Sequence, residues 1–101
     1  MEAALRAIAE PRRRRILQLV WERELSAGEI ASQFEVTRPA ISQHLGVLKA
    51  AGLVVERREG TRRLYRARPE GLIELIAFLE QFWDDRLVRL KQAAEEAERS
   101  A

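Results

Sequence analysis

The sequence predicts a mainly α-helical single domain that carries one β-hairpin, and three observations predict it. Apolar residues recur at helical spacing over most of the 101 residues. Two helix-start signals, Ser26 and Thr37, bracket a short helix and open a longer one. The strings LVVERR, from Leu53, and TRRLYRAR, to Arg68, flank a turn at Glu59-Gly60 in the pattern of two antiparallel strands. A chain of this length makes one domain, and it buries a smaller share of its surface than a larger one. A partner subunit is therefore a ready source of stability.

The elements follow in order. Glu2 to Glu10 reads as a short amphipathic helix with Leu5 and Ile8 on one side. Pro11 stops it and suits the first turn of the next helix, where its missing N–H is not needed. That second helix is expected to reach about Arg23, with Ile16, Leu17 and Val20 inward and Arg12 to Arg15 on its polar side. Ser26 with Glu29 three residues later forms a capping-box signature. The third helix, Ala27 to about Phe34, turns Ile30, Ala31 and Phe34 inward. Thr37 caps a fourth, in which Ile41, Leu45 and Leu48 form one apolar stripe, and Gly52 ends it at no steric cost. The hairpin is expected to pack through Leu53, Val55 and Tyr65. Pro69 closes it, and one unbroken helix is expected from about 70 to 98, since no Pro or Gly follows Gly71.

The third and fourth helices, about 27–51, are separated only by Glu35-Val36-Thr37, which is helix-turn-helix spacing. Ala31 is small where the helices cross, and Val36 is an apolar plug in the turn, although Glu35 stands where many such turns carry glycine. With its stripe inward, the fourth helix turns Pro39, Ser42, Gln43 and Gly46 outward, flanked by Arg38 and Lys49. Gln presents a donor–acceptor pair matched to adenine, and Ser reads a base or a phosphate. Gly46 marks either a close approach to the backbone or simple drift. The first turn is expected to offer free N–H groups to phosphate. The hairpin, about 53–68, then holds Arg57, Arg58, Arg62, Arg63, Arg66 and Arg68 against Glu56 and Glu59. Its tip projects as a wing, and Arg58 and Arg62 are the expected phosphate contacts. Together these elements predict a winged helix-turn-helix with double-stranded DNA as its partner.

Charge distribution agrees. The net charge of +2 hides 14 Lys and Arg against 8 Asp and Glu up to Arg68, and 4 against 8 beyond it. A basic body with an acidic tail suits a polyanionic partner for the body, or else two solvated faces. No cysteine is present, which excludes disulfides and thiolate ligands and fits a reducing cytoplasm. No apolar run is long enough to span a bilayer, so no membrane is expected.

The strings EPRRRRILQLV, ELSAGEIASQFEVTRPAISQHLGVLKAAGLVVERREG and RRLYRARPEGL together resemble the ArsR/SmtB superfamily of winged-helix repressors. The resemblance covers almost the whole chain. It implies a homodimer that occludes a promoter until a signal releases it, with the helix opened by Thr37 in the major groove. It also places Ser42, Gln43 and His44 at DNA-facing positions. His44 lies between the inward stripe and the outward face, so it either bonds a phosphate or sits at the helix edge. The departures are informative. Metal-sensing members often carry a cysteine pair where this chain has Leu25-Ser26-Ala27, and others use histidines on the last helix, which has none here. Adjacent Asp84 and Asp85 point about 100° apart and make a poor shared site. No metal or cofactor is expected, and no effector is legible.

The last helix repeats Leu72, Ile76, Leu79, Trp83, Leu87, Leu90, Ala94 and Ala97 at alternating three- and four-residue spacing, broadened by Ile73, Leu75, Phe82 and Val88. Such a stripe either packs wholly on its own domain or pairs with a second copy. The dimer is the expectation, with Leu5 on the first helix beside it and Phe82 and Trp83 as aromatic anchors. Two function classes remain beside DNA readout. One is a winged-helix module whose basic wing docks an acidic protein partner. The other is an enzyme, for which the sequence supplies no cysteine, no nucleophile near its single histidine and no Gly-rich phosphate loop. An enzyme is not expected.

Overall fold

The computed structural model describes residues 1–82 and 85–100. Helices α1 (Glu2–Ile8) and α2 (Pro11–Leu19) precede a short strand β1 (Leu25–Ser26), then α3 (Ala27–Ala31) and α4 (Arg38–Ala50). Strands β2 (Val54–Glu59) and β3 (Arg62–Ala67) form the hairpin, followed by α5 (Pro69–Glu80) and α6 (Asp85–Ser100). The core lies where α2, α3, α4 and the sheet meet. Ile16, Val20, Ile30, Ile41, Leu45, Leu48 and Leu53 are all fully buried there. All but Leu53 are inward positions that periodicity predicts, and Leu53 is one expected to pack the hairpin.

Two of the four arginines in the run of α2 are used inside the domain. Arg13 donates through Nε to the carbonyl of Ala7 (2.7 Å) and through Nη2 to that of Arg6 (3.0 Å). Arg14 donates to the carbonyl of Ile8 (2.7 Å). Both thus satisfy the orphan carbonyls at the C-terminus of α1 with positive charge, where it is favoured. The inward face of α1 is Ala4 and Ala7, with Leu5 and Ile8 only half-buried beside them. Small residues there let α1 lie close on the core.

Four expectations are corrected. Helix α2 ends at Leu19, not Arg23, because the Val20 carbonyl accepts the N–H of Ala67 (2.9 Å) and leaves the helix to do so. Helix α3 ends at Ala31, and the N–H groups of Gln33 and Phe34 bond three residues back in a tightened turn. In the hairpin Val54, not Val55, faces the core, and Val55 is exposed. Leu53 belongs to the helix terminus, so the strand alternation starts at Val54, which pairs with Ala67. The last helix is divided. Gln81 and Phe82 donate to the carbonyls of Phe78 and Leu79, again three residues back, so α5 closes without proline or glycine. The rings of Phe78 and Phe82 meet edge to face at 5.3 Å across that closure.

Strand β1 was not expected. Leu25 pairs with Tyr65 and Ser26 with Leu64, which makes a three-stranded antiparallel sheet in the order β1-β3-β2. It stabilises a ribbon that is marginal as two strands alone. The hairpin turns through two residues, Gly60 and Thr61, with positive φ (63°) at Gly60 alone, the pattern of a type II′ turn. Gly52 (φ 77°) ends α4 in a Schellman motif: Leu53 N–H bonds the Leu48 carbonyl and Gly52 N–H that of Lys49, both at 3.0 Å. Arg68 ties the same point to α5, its N–H on the Leu53 carbonyl (2.8 Å) and its Nη1 on that of Gly52 (3.3 Å).

Candidate nucleic-acid interface

Helix α4 is built to be stiff and to show one face. Thr37 Oγ1 accepts the N–H of Ala40 (3.3 Å) at its start, and the Schellman motif closes its end. Ile41, Leu45 and Leu48 anchor the inner stripe, which leaves Pro39, Ser42, Gln43 and Gly46 exposed on the outer one, as expected. A Cβ placed on Gly46 would meet nothing within 4 Å, so the domain itself gives no packing reason for glycine there. The first turn offers phosphate less than expected. Pro39 has no N–H and that of Ala40 is taken by Thr37.

His44 is half-buried at the edge of α4. Its Nδ1 lies 4.0 Å from Oε2 of Glu10, the residue that caps α2 by accepting the N–H of Arg13 (3.0 Å). Burial pushes the Glu10 carboxyl up, but the hydrogen bond from Arg13 and the neighbouring His44 outweigh it and hold it below the ordinary glutamate value. The N-terminus of α2 is thereby placed beside α4.

The hairpin sorts its charges by face. Val54, Glu56 and Arg58 on β2 share a face with Ala67, Tyr65 and Arg63, their partners on β3. This face turns toward α4, where Lys49 Nζ meets Glu56 Oε2 at 3.0 Å and Arg63 Nε meets Glu56 Oε1 at 3.5 Å. Lys49's hydrogen bond is the main cause that holds Glu56 below the ordinary carboxylate value. Arg58 is exposed, with no hydrogen bond or ion pair among the described residues. The opposite face carries Arg57, Arg62 and Arg66, and there the cations are engaged. Arg57 donates to both oxygens of Glu24 (2.9 and 2.8 Å) and to Glu59 (3.0 Å). Arg62 donates to Glu29 (2.8 Å), whose same oxygen completes the capping box by accepting the N–H of Ser26 (2.9 Å). Arg58 and Arg62, expected as a pair, leave their strands on opposite faces, and Arg62 bends back to α3 at the rim of the α4 cleft. Arg63 joins Arg58 toward α4, and strand alternation was the signal that could have shown it.

A cleft among α3, α4 and the hairpin is lined by Arg38, Ser42, Gly46, Lys49, Arg63 and the acidic Glu56, and Arg62 reaches it from the hairpin end on its way to Glu29, so cations outnumber the one carboxylate there. Apolar side chains outside that cleft are exposed as well. Ile76, Leu79, Phe82 and Leu90 are exposed on α5, its closing turn and α6, whereas Leu5 and Leu72 are half-buried against the core and Leu87 is partly covered. Leu75, expected to broaden this stripe, is buried in the domain instead. Trp83 lies outside the described residues. Trp21 and Ile73 are exposed beside Ile76, and Trp21 is not among the residues the sequence singles out. Among the described residues no three Asp, Glu or His side chains are grouped to hold a metal ion, and no helix is long and apolar enough to cross a membrane.

A tight pair of helices with an exposed reading face and a basic hairpin beside it defines a winged helix-turn-helix regulator. Residues 10–55 match the family model described as bacterial regulatory protein, arsR family. The chain is 45% identical over 82 residues to the HTH-type transcriptional regulator Rv2034 of Mycobacterium tuberculosis, covering 81% of this chain and 77% of that one. It is 34% identical over 82 residues to the transcriptional repressor SdpR of Bacillus subtilis, covering 81% and 91%. A crystal structure described as a possible transcriptional regulator for arsenical resistance superposes with a TM-score of 0.84 at 45% identity, covering 90% of this chain and 95% of that one. The homodimeric winged helix-turn-helix DNA-binding domain Mb0332 of Mycobacterium bovis, solved by NMR, superposes with a TM-score of 0.67 at 35% identity, covering 85% and 80%. The chain belongs to the ArsR family of bacterial transcriptional regulators.

Proposed function

We propose that the protein is a homodimeric repressor that reads a pseudo-palindromic operator through α4 and holds the flanking backbone with its wing. The observation that carries this reading is the outer face of α4. Ser42 and Gln43 are exposed, make no side-chain hydrogen bond among the described residues, and stand on a helix fixed at both ends. Pre-organised polar side chains of this kind are suited to base edges in the major groove, where Gln pairs with adenine. Thr37, Arg38, Pro39 and His44 frame that face, and Arg58 and Arg63 extend it to the wing. Support for two copies comes from the exposed apolar surface of α5 and α6 and from the homodimeric relative. Leu5, Leu72, Ile76, Leu79, Phe82, Leu87 and Leu90 supply the proposed interface, with Trp83 between them in sequence. Two copies place two reading helices one turn of DNA apart, about 34–36 Å.

The test is selection of bound fragments from a random DNA pool, followed by Ser42→Ala and Gln43→Ala variants. The selected sites should be two-fold symmetric, and the variants should lose preference among them while remaining folded. Sites without symmetry, or variants with unchanged preference, would sink the reading.

A further inference from the structure

We propose that Glu24 is a positioning residue for the wing, holding the hairpin at its binding angle through Arg57; this rests on the DNA-binding reading above. The hairpin needs such a device. From Arg58 to Arg63 every residue is exposed, so nothing in the core packs beneath its outer half. Leu64 and Tyr65 are the last buried residues before the tip. A two-stranded ribbon beyond its last packed residue is free to swing.

Arg57 sits on β2 opposite Leu64, at that boundary. Its guanidinium crosses β3 and reaches Glu24, 33 residues earlier, with Nε and Nη2 each on a different carboxylate oxygen at 2.9 and 2.8 Å. Paired bonds of this fork geometry fix direction as well as distance. Glu24 directly precedes β1, whose Leu25 is buried and whose Ser26 caps α3, so the anchor belongs to the body of the domain. The Arg57 hydrogen bond is also the main cause that keeps Glu24 ionised below the ordinary glutamate range. A second link, Arg62 to Glu29, ties the tip in the same direction, but Glu29 is committed to the capping box as well. Glu24 caps no helix. Its side chain is about one-third exposed, so it adds little to folding, and the pair is better understood as a restraint.

Charge alone makes the opposite demand. An acidic residue near a polyanion weakens binding, so neutralising it should tighten the complex. A restraint on the wing predicts that neutralising it weakens the complex, because ordering of the hairpin is then deferred to binding. The two accounts differ in sign.

The experiment measures operator affinity by fluorescence anisotropy for wild type, Glu24→Gln, and the charge exchange Glu24→Arg with Arg57→Glu, which keeps the net charge. Amide hydrogen exchange of residues 58–63 is recorded in the absence of DNA. Glu24→Gln should bind about threefold to tenfold more weakly, the scale of one deferred ordering step. The exchanged pair should recover most of that loss, and the wing amides should exchange faster in Glu24→Gln alone. Equal or tighter binding by Glu24→Gln, no recovery by the exchanged pair, or unchanged wing exchange would each overturn the proposal. Failure of the wild type to select any DNA would instead overturn the reading on which it rests, and the exchange measurement would still judge the restraint.

Discussion

Gly71, in the first turn of α5, lies against the carbonyl oxygen of Gly52, and a methyl group at position 71 would overlap that oxygen. Helix α5 can approach the end of α4 only because the residue there has no side chain. The atom in the way is backbone, so it cannot yield by changing rotamer. Gly71→Ala should cost about 1–3 kcal/mol, as overpacking does elsewhere. A thermal melt followed by circular dichroism measures it, and an unchanged midpoint would show that the two segments can separate freely.

Gly46 should behave in the opposite way. It is exposed within α4, and a Cβ there meets nothing within 4 Å. Gly46→Ala should stabilise the protein by up to about 1 kcal/mol through helix propensity alone. The same melts test it, and a lower midpoint would reveal a constraint that the isolated chain does not show.

The sorted charges of the hairpin make a prediction for salt dependence. Arg58 and Arg63 face α4, whereas Arg66 lies on the other face with Nη2 3.5 Å from the Glu22 carbonyl. Removing one cation from a phosphate lowers the slope of log K against log salt by about 1. Arg58→Ala and Arg63→Ala should each show that change in salt titrations of operator binding, and Arg66→Ala should not.

The dimer has its own test. Ile76 is 51% exposed and lines a shallow apolar pocket with Ile73 and Trp21. Ile76→Arg places a charge where a second copy is expected and should shift sedimentation toward the monomer. Since Ile76 contributes little to the core, the melt of the monomer should change only slightly. A dimer that persists at micromolar concentration would move the interface elsewhere.

Acid should loosen α3 at a definite point. The backbone and side chain of Ser26 hydrogen-bond Glu29, with Arg62 adding to them, and hold its carboxyl below the ordinary value of 4.5. Folding thus favours the ionised form. Its contribution is complete above about pH 4.5 and declines as the pH falls through the depressed value. Thermal midpoints measured from pH 7 to pH 3 should fall in that lower range, and Glu29→Gln should flatten part of the fall while lowering the neutral-pH midpoint.

Much of this architecture is legible in the residues because local rules and core packing agree. Ser26 with Glu29, Thr37, Gly52 and Gly60 each mark a boundary that the structure keeps. Ile41, Leu45 and Leu48 fix the roll of α4, and with it the exposure of Ser42 and Gln43. What escaped the sequence depends on long-range bonds. Val20 leaves its helix because Ala67 supplies a partner from the far side of the sheet. β1 exists only because β3 comes to lie beside it. Arg13 and Arg14 look like surface charge until the end of α1 is placed over them. The division after Glu80 has no Pro or Gly to mark it, and the apolar period runs unbroken across it, so periodicity alone reads one helix.

The junction of Leu53, Arg68 and Gly52 has a mechanical consequence. With α5 closed onto Gly52 and Arg68 bonded across the same point, the end of the reading helix, the root of the wing and the base of α5 turn together. In the proposed dimer each domain is then a lever whose fulcrum is the α5 pairing. A tilt there is not taken up by a soft joint before it reaches α4, so it changes the distance between the two reading heads. DNA offers its major groove only at whole turns, and a small tilt is enough to take both heads out of step with it. On the proposed reading, release from the operator would be driven from the dimer seam, with nothing altered at the outer face of α4.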